Sequence, residues 1–316
     1  MKNTVAAFAV LALLSTTANA AQVCDKGANF KPWLAAFKKE AAAEGIPASV
    51  IAQALNGVQY DPKVVQLDRA QGVFSQSFLQ FAKRMVADYR LTQGKARIAK
   101  YRDTFERIEA EFGVPAAVLT GFWGLETDFG AVMGDLQSIH SVATLAYDCR
   151  RPDMFRDELK DLLRIIARGD LTAQQMRGPW AGELGQFQFL PSFYLSHGTD
   201  YDGDGRVNLI GSTPDALASA ANLMNSFGWR AGEPWLEEVT VPAKLDWKEA
   251  DIAIQHPVSY WLKAGVRPAR GQLKGSKLQA SLHLPMGRNG PAFLAYPNFK
   301  AYLQWNQSLV YATTAG

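Results

Sequence analysis

The residue best placed to do acid–base chemistry is Glu126, in the stretch GVPAAVLTGFWGLETDFG that spans residues 113–130. Pro115 suits a first helical turn and Gly130 can stop the chain just beyond, so the spacing predicts a short helix that ends in a carboxylate. Counting back from Glu126 by three and four reaches Trp123 and Phe122, and by seven and eight Leu119 and Val118. The carboxyl therefore lies on the apolar stripe of its helix. Desolvation there raises a carboxyl pKa, and an acid that stays protonated near neutrality is what proton donation to a leaving group requires. Taken alone, Glu126 reads more readily as a helix-end residue turned to solvent; the rest of the chain reverses that preference.

A second stretch, GPWAGELGQFQFLPSFY at 178–194, interleaves glycines with aromatic residues. Such a turn suits the wall of a groove, with Trp180 and Phe187 stacking on sugar rings and Gln186 or Gln188 bonding acetamido and hydroxyl groups. Phe189 and Phe193 read better as core beneath it. Glu183 is a rival second carboxylate, although nothing in the sequence places it across a cleft from Glu126. A third stretch, DYDGDGRVNL at 200–209, sets Asp200, Asp202 and Asp204 at positions one, three and five, with Gly205 at six. That is the opening of an EF-hand loop, a tight turn that aims alternate carboxylates at one hard cation. Position twelve is Gly211 rather than Glu, and Asp215 is placed to close a lengthened loop. Without a cation the same residues make a solvated turn.

Other chemistries find no support. The four histidines, His140, His197, His256 and His283, lack metal-ligand spacing. No Gly-x-Ser-x-Gly elbow and no phosphate-cradling glycine loop occurs. A net charge of +3, which becomes +2 without Lys2, is too weak to suggest nucleic acid. Carboxylate chemistry remains, and in an exported protein it points to polysaccharide cleavage. Export is expected from residues 1–20, where a basic start, an apolar run from Val5 to Leu14 and Ala18-Asn19-Ala20 form a signal peptide. Cys24 has no lipobox before it, so a soluble periplasmic protein is expected. Cys24 and Cys149, the two cysteines, are expected to pair there.

The elements that must position these residues are mostly helical, in a chain 48% hydrophobic and 20% charged. Residues 30–54 read as two short helices broken at Gly45-Ile46-Pro47. Periodic apolar residues predict further helix within 74–112, at 153–168 and at 215–227. From about Val239 short proline-punctuated segments suggest loops and a few strands, notably Leu278 to Leu284. The fold class is thus mainly α (α+β), with a helical region at 21–238 and a mixed portion at 239–316.

Four motifs, WGLETDFG, AGELGQFQFLP, DxDGDGxxNL and the C-terminal YPNFxxxxxWNxSxxY, together resemble the lytic murein transglycosylase B family, from about Phe30 to the last residues. The resemblance implies a lysozyme-like helical core with attached lobes, acting on peptidoglycan glycan strands between N-acetylmuramic acid and N-acetylglucosamine. It implies Glu126 as the single acid/base, Gln188 as the groove glutamine, and Asn306 and Tyr311 beside the glycan site. Asp200, Asp202, Asp204 and Asp215, with the Arg206 carbonyl, match its cation loop, so Ca²⁺ is expected as a structural ion and no cofactor for catalysis. Pro179 and Leu223 depart from the Ser and Tyr found in family members. A single carboxylate implies attack by the muramyl C6 hydroxyl and a 1,6-anhydro product. A hydrolytic muramidase and a non-catalytic, calcium-stabilised wall-binding protein are the alternatives. A monomer without a transmembrane segment is expected.

Overall fold

Capping chemistry written in the sequence sets several helix starts in the computed structural model, which describes residues 26–70 and 76–316. The signal peptide and Cys24 lie outside the described residues, and with Cys24 the expected disulfide. The first lobe holds α1 (Phe30–Ala43), α2 (Ala48–Leu55) and α3 (Pro62–Arg69). The break between α1 and α2 falls at Gly45-Ile46-Pro47, as expected. Asp61 caps α3 by accepting from the Lys63 N–H, and Ser77 and Gln80 form a reciprocal capping box on α4 (Phe78–Met85). Next come α5 (Asp88–Lys100), α6 (Arg102–Phe112) and α7 (Ala116–Thr127). They are followed by α8 (Ser138–Tyr147), α9 (Pro152–Arg168), α10 (Pro191–His197) and α11 (Thr213–Ser226).

Two helix groups share one apolar core. α8 and α9 pack against each other and against α1–α3, while α7 is surrounded by α5, α6, α11 and the C-terminal helices. A two-stranded ribbon, β1 (Leu136–Gln137) with β2 (Arg177–Gly178), joins the segment after α7 to the glycine-rich turn. The mixed portion is an antiparallel sheet of β3 (Leu236–Thr240), β4 (His256–Pro257), β5 (Arg267–Pro268), β6 (Gln279–His283) and β7 (Ala292–Ala295), in the order β4-β6-β7-β3-β5. With α12 (Val258–Lys263) it encloses its own core around Val239, Trp261, Leu282 and Leu294.

The chain then returns. α13 (Phe299–Trp305) and α14 (Leu309–Ala315) place Phe299, Tyr302 and Tyr311 in the main core. His283 on β6 joins Thr313 on α14 through a 2.7 Å Nε2···Oγ1 contact, and burial lowers its pKa to about 4, which keeps the ring neutral. The sheet thus serves as a bracket for the helix that carries Tyr311.

Candidate active site

Glu126 stands in the last turn of α7, and the packing beneath it follows the spacing. Val118, Leu119, Phe122 and Trp123 are all buried. The helix stops earlier than Gly130 alone would dictate, because Asp128 and Phe129 already have φ of 51° and 61°. Left-handed backbone costs a residue with a Cβ about 1–2 kcal/mol, and tertiary contacts offset it here. Arg90 Nε donates to Asp128 at 3.0 Å, and the Phe129 ring packs edge-on to Trp123 at 5.6 Å. Thr127 Oγ1 then donates to the Gln186 carbonyl at 2.6 Å, fixing the end of α7 to the glycine-rich turn.

The carboxyl of Glu126 is met by two donors from the far end of the chain. Trp305 Nε1 donates to Oε1 at 2.8 Å and Tyr311 Oη donates to the same oxygen at 2.6 Å. The Trp305 ring also stacks on Phe122, with centroids 4.4 Å apart. Desolvation raises the Glu126 pKa and dominates, while the two donors, which favour the ionised form, pull against it. The result is an acid held protonated above the ordinary carboxylate range, with a cradle ready for its conjugate base.

The glycine-rich turn lines the same groove as Glu126. Leu184 and Phe189 exchange both main-chain hydrogen bonds, closing a tight loop. Gly185 has φ of +74°, and a Cβ there would lie 2.4 Å from the Leu209 carbonyl, so only glycine lets this turn approach the cation-loop segment so closely. Of the two candidate glutamines, Gln188 faces the groove, its Nε2 held by the Gly185 carbonyl at 2.9 Å. Gln186 is buried away from it, with Nε2 on the Ile210 carbonyl.

Glu126, Trp180, Phe187, Gln188, Trp305 and Asn306 all line one groove of about 600 Å³. Phe189 and Phe193, read as core, also present surface to it, as does Leu223. Tyr311 is buried behind Glu126. Sequence reasoning quoted Trp305 in a motif and gave it no role; its indole N–H on Glu126 gives it one. Arg151 and Glu183 line the groove too, and no spacing rule marks Arg151 as a groove residue.

The acidic loop is the third feature. One carboxylate oxygen from each of Asp200, Asp202 and Asp204 lies within 4.8 Å of the others. Main-chain N–H groups of Gly203 and Gly205 point at the two Asp200 oxygens, at 2.8 and 2.9 Å, so the turn is shaped by its own acids. Asp215 lies outside this group. It is fully buried, and its oxygens accept from the N–H groups of Tyr201, Asp202 and Asn208, which makes it the anchor of the loop's main chain.

Comparison with known proteins follows this geometry closely. The family model described as Transglycosylase SLT domain matches residues 29–316. The membrane-bound lytic murein transglycosylase B of Escherichia coli K12 is 30% identical over 240 residues, covering 75% of this chain and 64% of that protein, just under two thirds of its length. SltB3 from Pseudomonas aeruginosa, solved in complex with NAG-NAM-pentapeptide, has a TM-score of 0.88 at 40% identity, covering 92% of this chain and 78% of its own. The Escherichia coli lytic transglycosylase Slt35 in complex with calcium has a TM-score of 0.76 at 26% identity, covering 90% of each chain. These are helical, lysozyme-like folds, as the sequence led us to expect. Because the family match takes in both walls of the groove and the helices behind it, the chain belongs to the Transglycosylase SLT domain family.

Proposed function

We propose that this protein is a peptidoglycan lytic transglycosylase that cleaves the β-1,4 bond between N-acetylmuramic acid and N-acetylglucosamine and leaves 1,6-anhydromuramyl ends. The observation that carries this is Glu126, a desolvated carboxyl facing a sugar-sized groove with two donors on one oxygen. The relative named as a membrane-bound lytic murein transglycosylase, and SltB3 solved with NAG-anhNAM-pentapeptide, support it.

Protonated Glu126 gives its proton to the glycosidic oxygen as the bond to the muramyl anomeric carbon breaks. The carboxylate left behind is stabilised by Trp305 and Tyr311, and positive charge at the anomeric carbon is held by the substrate's own acetamide or by oriented dipoles. Glu126 then takes the proton of the muramyl C6 hydroxyl, whose oxygen closes onto the anomeric carbon. The nucleophile belongs to the substrate, so its effective concentration is high and no water is consumed. Mass spectrometry of muropeptides released from sacculi tests this: products lighter by one water than hydrolytic ones are expected. Hydrated reducing ends would make the protein a muramidase, and no release at all a wall-binding protein.

The reading places the protein in the periplasm, released from the signal peptide at residues 1–20 and acting as a monomer. Among the described residues no helix is long and apolar enough to cross a membrane. A disulfide between Cys24 and Cys149 would contribute about 2–4 kcal/mol. Thiol titration of protein purified from the periplasm should find no free thiol, and two would rule the pairing out.

The Asp200 loop is proposed to hold Ca²⁺ through Asp200, Asp202, Asp204 and the Arg206 carbonyl, with Asp215 fixing the main chain behind them. Carboxylates and a carbonyl in a loose loop suit Ca²⁺ better than Mg²⁺. The role is structural: the Gln186 N–H donates to the Leu209 carbonyl at 2.9 Å, so ordering the loop steadies the groove wall. Binding to the folded state alone adds about 2.7 kcal/mol at a hundredfold excess over Kd. Chelator should therefore lower the melting temperature by several degrees and Asp204→Ala should erase the difference. An unchanged melting temperature on adding Ca²⁺ to stripped protein would leave a solvated turn.

A further inference from the structure

The groove contains a second carboxyl that the single-acid mechanism leaves unused. Glu183 lines the same groove as Glu126. Its Oε2 is buried and meets no hydrogen-bond partner among the described residues. A buried polar atom without a partner costs about 1–3 kcal/mol, and folding has not relieved that cost by letting the side chain turn away.

The main chain explains why it stays. Gly178 runs so close to the Glu183 carbonyl that a Cβ on it would lie 2.0 Å from that oxygen. Leu184, the next residue, is locked in the exchange with Phe189. The turn therefore holds Glu183 in place as part of the groove lining.

We propose that Glu183 is a second functional carboxyl of the groove, which in its neutral form donates a hydrogen bond to a hydroxyl, ring or acetamido oxygen of the sugar bound beside Glu126. The inference rests on the reading of the groove as a glycan site. Three charged groups face Glu183: Glu126 from α7, Arg151 from the turn before α9, and Glu158 from α9. Burial raises its pKa to about 7; its own main-chain N–H and Arg151 oppose the shift, while Glu126 and Glu158 add to it. The neutral form is thus the one that dominates below pH 7, and it needs an acceptor. Among the described residues no side chain supplies one, and a sugar oxygen would.

The chemistry predicts a pH-dependent affinity. Below pH 7 Glu183 donates; as pH rises through that value it ionises, loses its donor and sets a negative charge against the sugar oxygen. The test measures KM and kcat on soluble peptidoglycan fragments from pH 5 to 9, together with sacculus binding in a Glu126→Gln background. The wild type should show KM rising above pH 7. Glu183→Gln keeps a neutral donor in the same shape, so it should hold KM near the wild-type acidic value at every pH. Glu183→Ala should keep KM about tenfold above the wild-type acidic value at every pH, the size of one hydrogen bond, with kcat changed much less.

A KM for Glu183→Ala that matches the wild type at every pH overturns the proposal. So does a Glu183→Gln variant that keeps the alkaline rise or loses affinity as far as the alanine. Should the alanine variant fail to fold, the glutamine variant alone decides, since its KM profile is either flat or it is not. Failure of the underlying reading shows differently: the wild-type protein itself would then release no muropeptides.

Discussion

Glu126→Gln is expected to abolish turnover while leaving sacculus binding nearly intact. The amide keeps the size of the side chain and can still accept from Trp305 and Tyr311 through its carbonyl oxygen. It can neither give a proton to the glycosidic oxygen nor take one from the C6 hydroxyl. General acid–base groups contribute about 10²–10⁴-fold, and a residue that serves both steps should stand at the upper end. A variant that retains a tenth of the activity would remove Glu126 from the role. Stability should move the other way. The Glu126 pKa is raised on folding, so the stability this group contributes falls as pH rises from the ordinary value of 4.5 towards the folded one. Glutamine does not ionise. Its melting temperature should match the wild type in acid and exceed it near neutrality, by roughly 2–4 °C for each kcal/mol recovered.

Tyr311→Phe should shift the pH dependence of the reaction and slow it. The Tyr311 hydroxyl donates to Glu126 Oε1, which favours the carboxylate. Removing it raises the Glu126 pKa further, so the alkaline limb of kcat/KM, where the acid is lost, should move to higher pH. Charge that appears on Glu126 when it releases its proton then has one donor instead of two. A hydrogen bond to a charged group is worth about 1.5–3 kcal/mol, so the rate should fall about tenfold or more. Trp305→Phe should act in the same direction, with part of its effect coming from the altered stack on Phe122. A pH–rate profile whose alkaline limb stays in place or moves down would show that these donors do not govern the acid.

The helical part of this molecule was legible because its signals are local. The break at Gly45-Ile46-Pro47, the amphipathic run of α9 and the apolar stripe under Glu126 each depend on residues within two turns of one another. The stop of α7 was only half legible, since Asp128 and Phe129 take left-handed backbone on account of Arg90 and Trp123 rather than their own preference. The sheet was least legible. Two of its strands, β4 and β5, are two residues long, too short for alternation to show, and pair across more than twenty residues. In the site, the choice between Gln186 and Gln188 turned on which way a strained loop faces, which no spacing rule encodes. Glu183 could not be placed in the groove of Glu126 because the link between their segments is the Thr127–Gln186 hydrogen bond, a tertiary contact. Asp215 matches a metal-ligand position by count, and its burial at the start of α11, with main-chain N–H groups on its oxygens, could not be read from spacing.

The distance along the chain between Glu126 and its two donors has a biosynthetic consequence. Trp305 and Tyr311 follow it by 179 and 185 residues. At about 5–20 residues per second, a ribosome needs roughly 10–40 seconds to travel from the acid to the first of them. Throughout that interval α7 can be complete while its carboxyl has neither partner, so a nascent or partly threaded chain carries the acid without its cradle. Competence arrives last, when α13 and α14 dock.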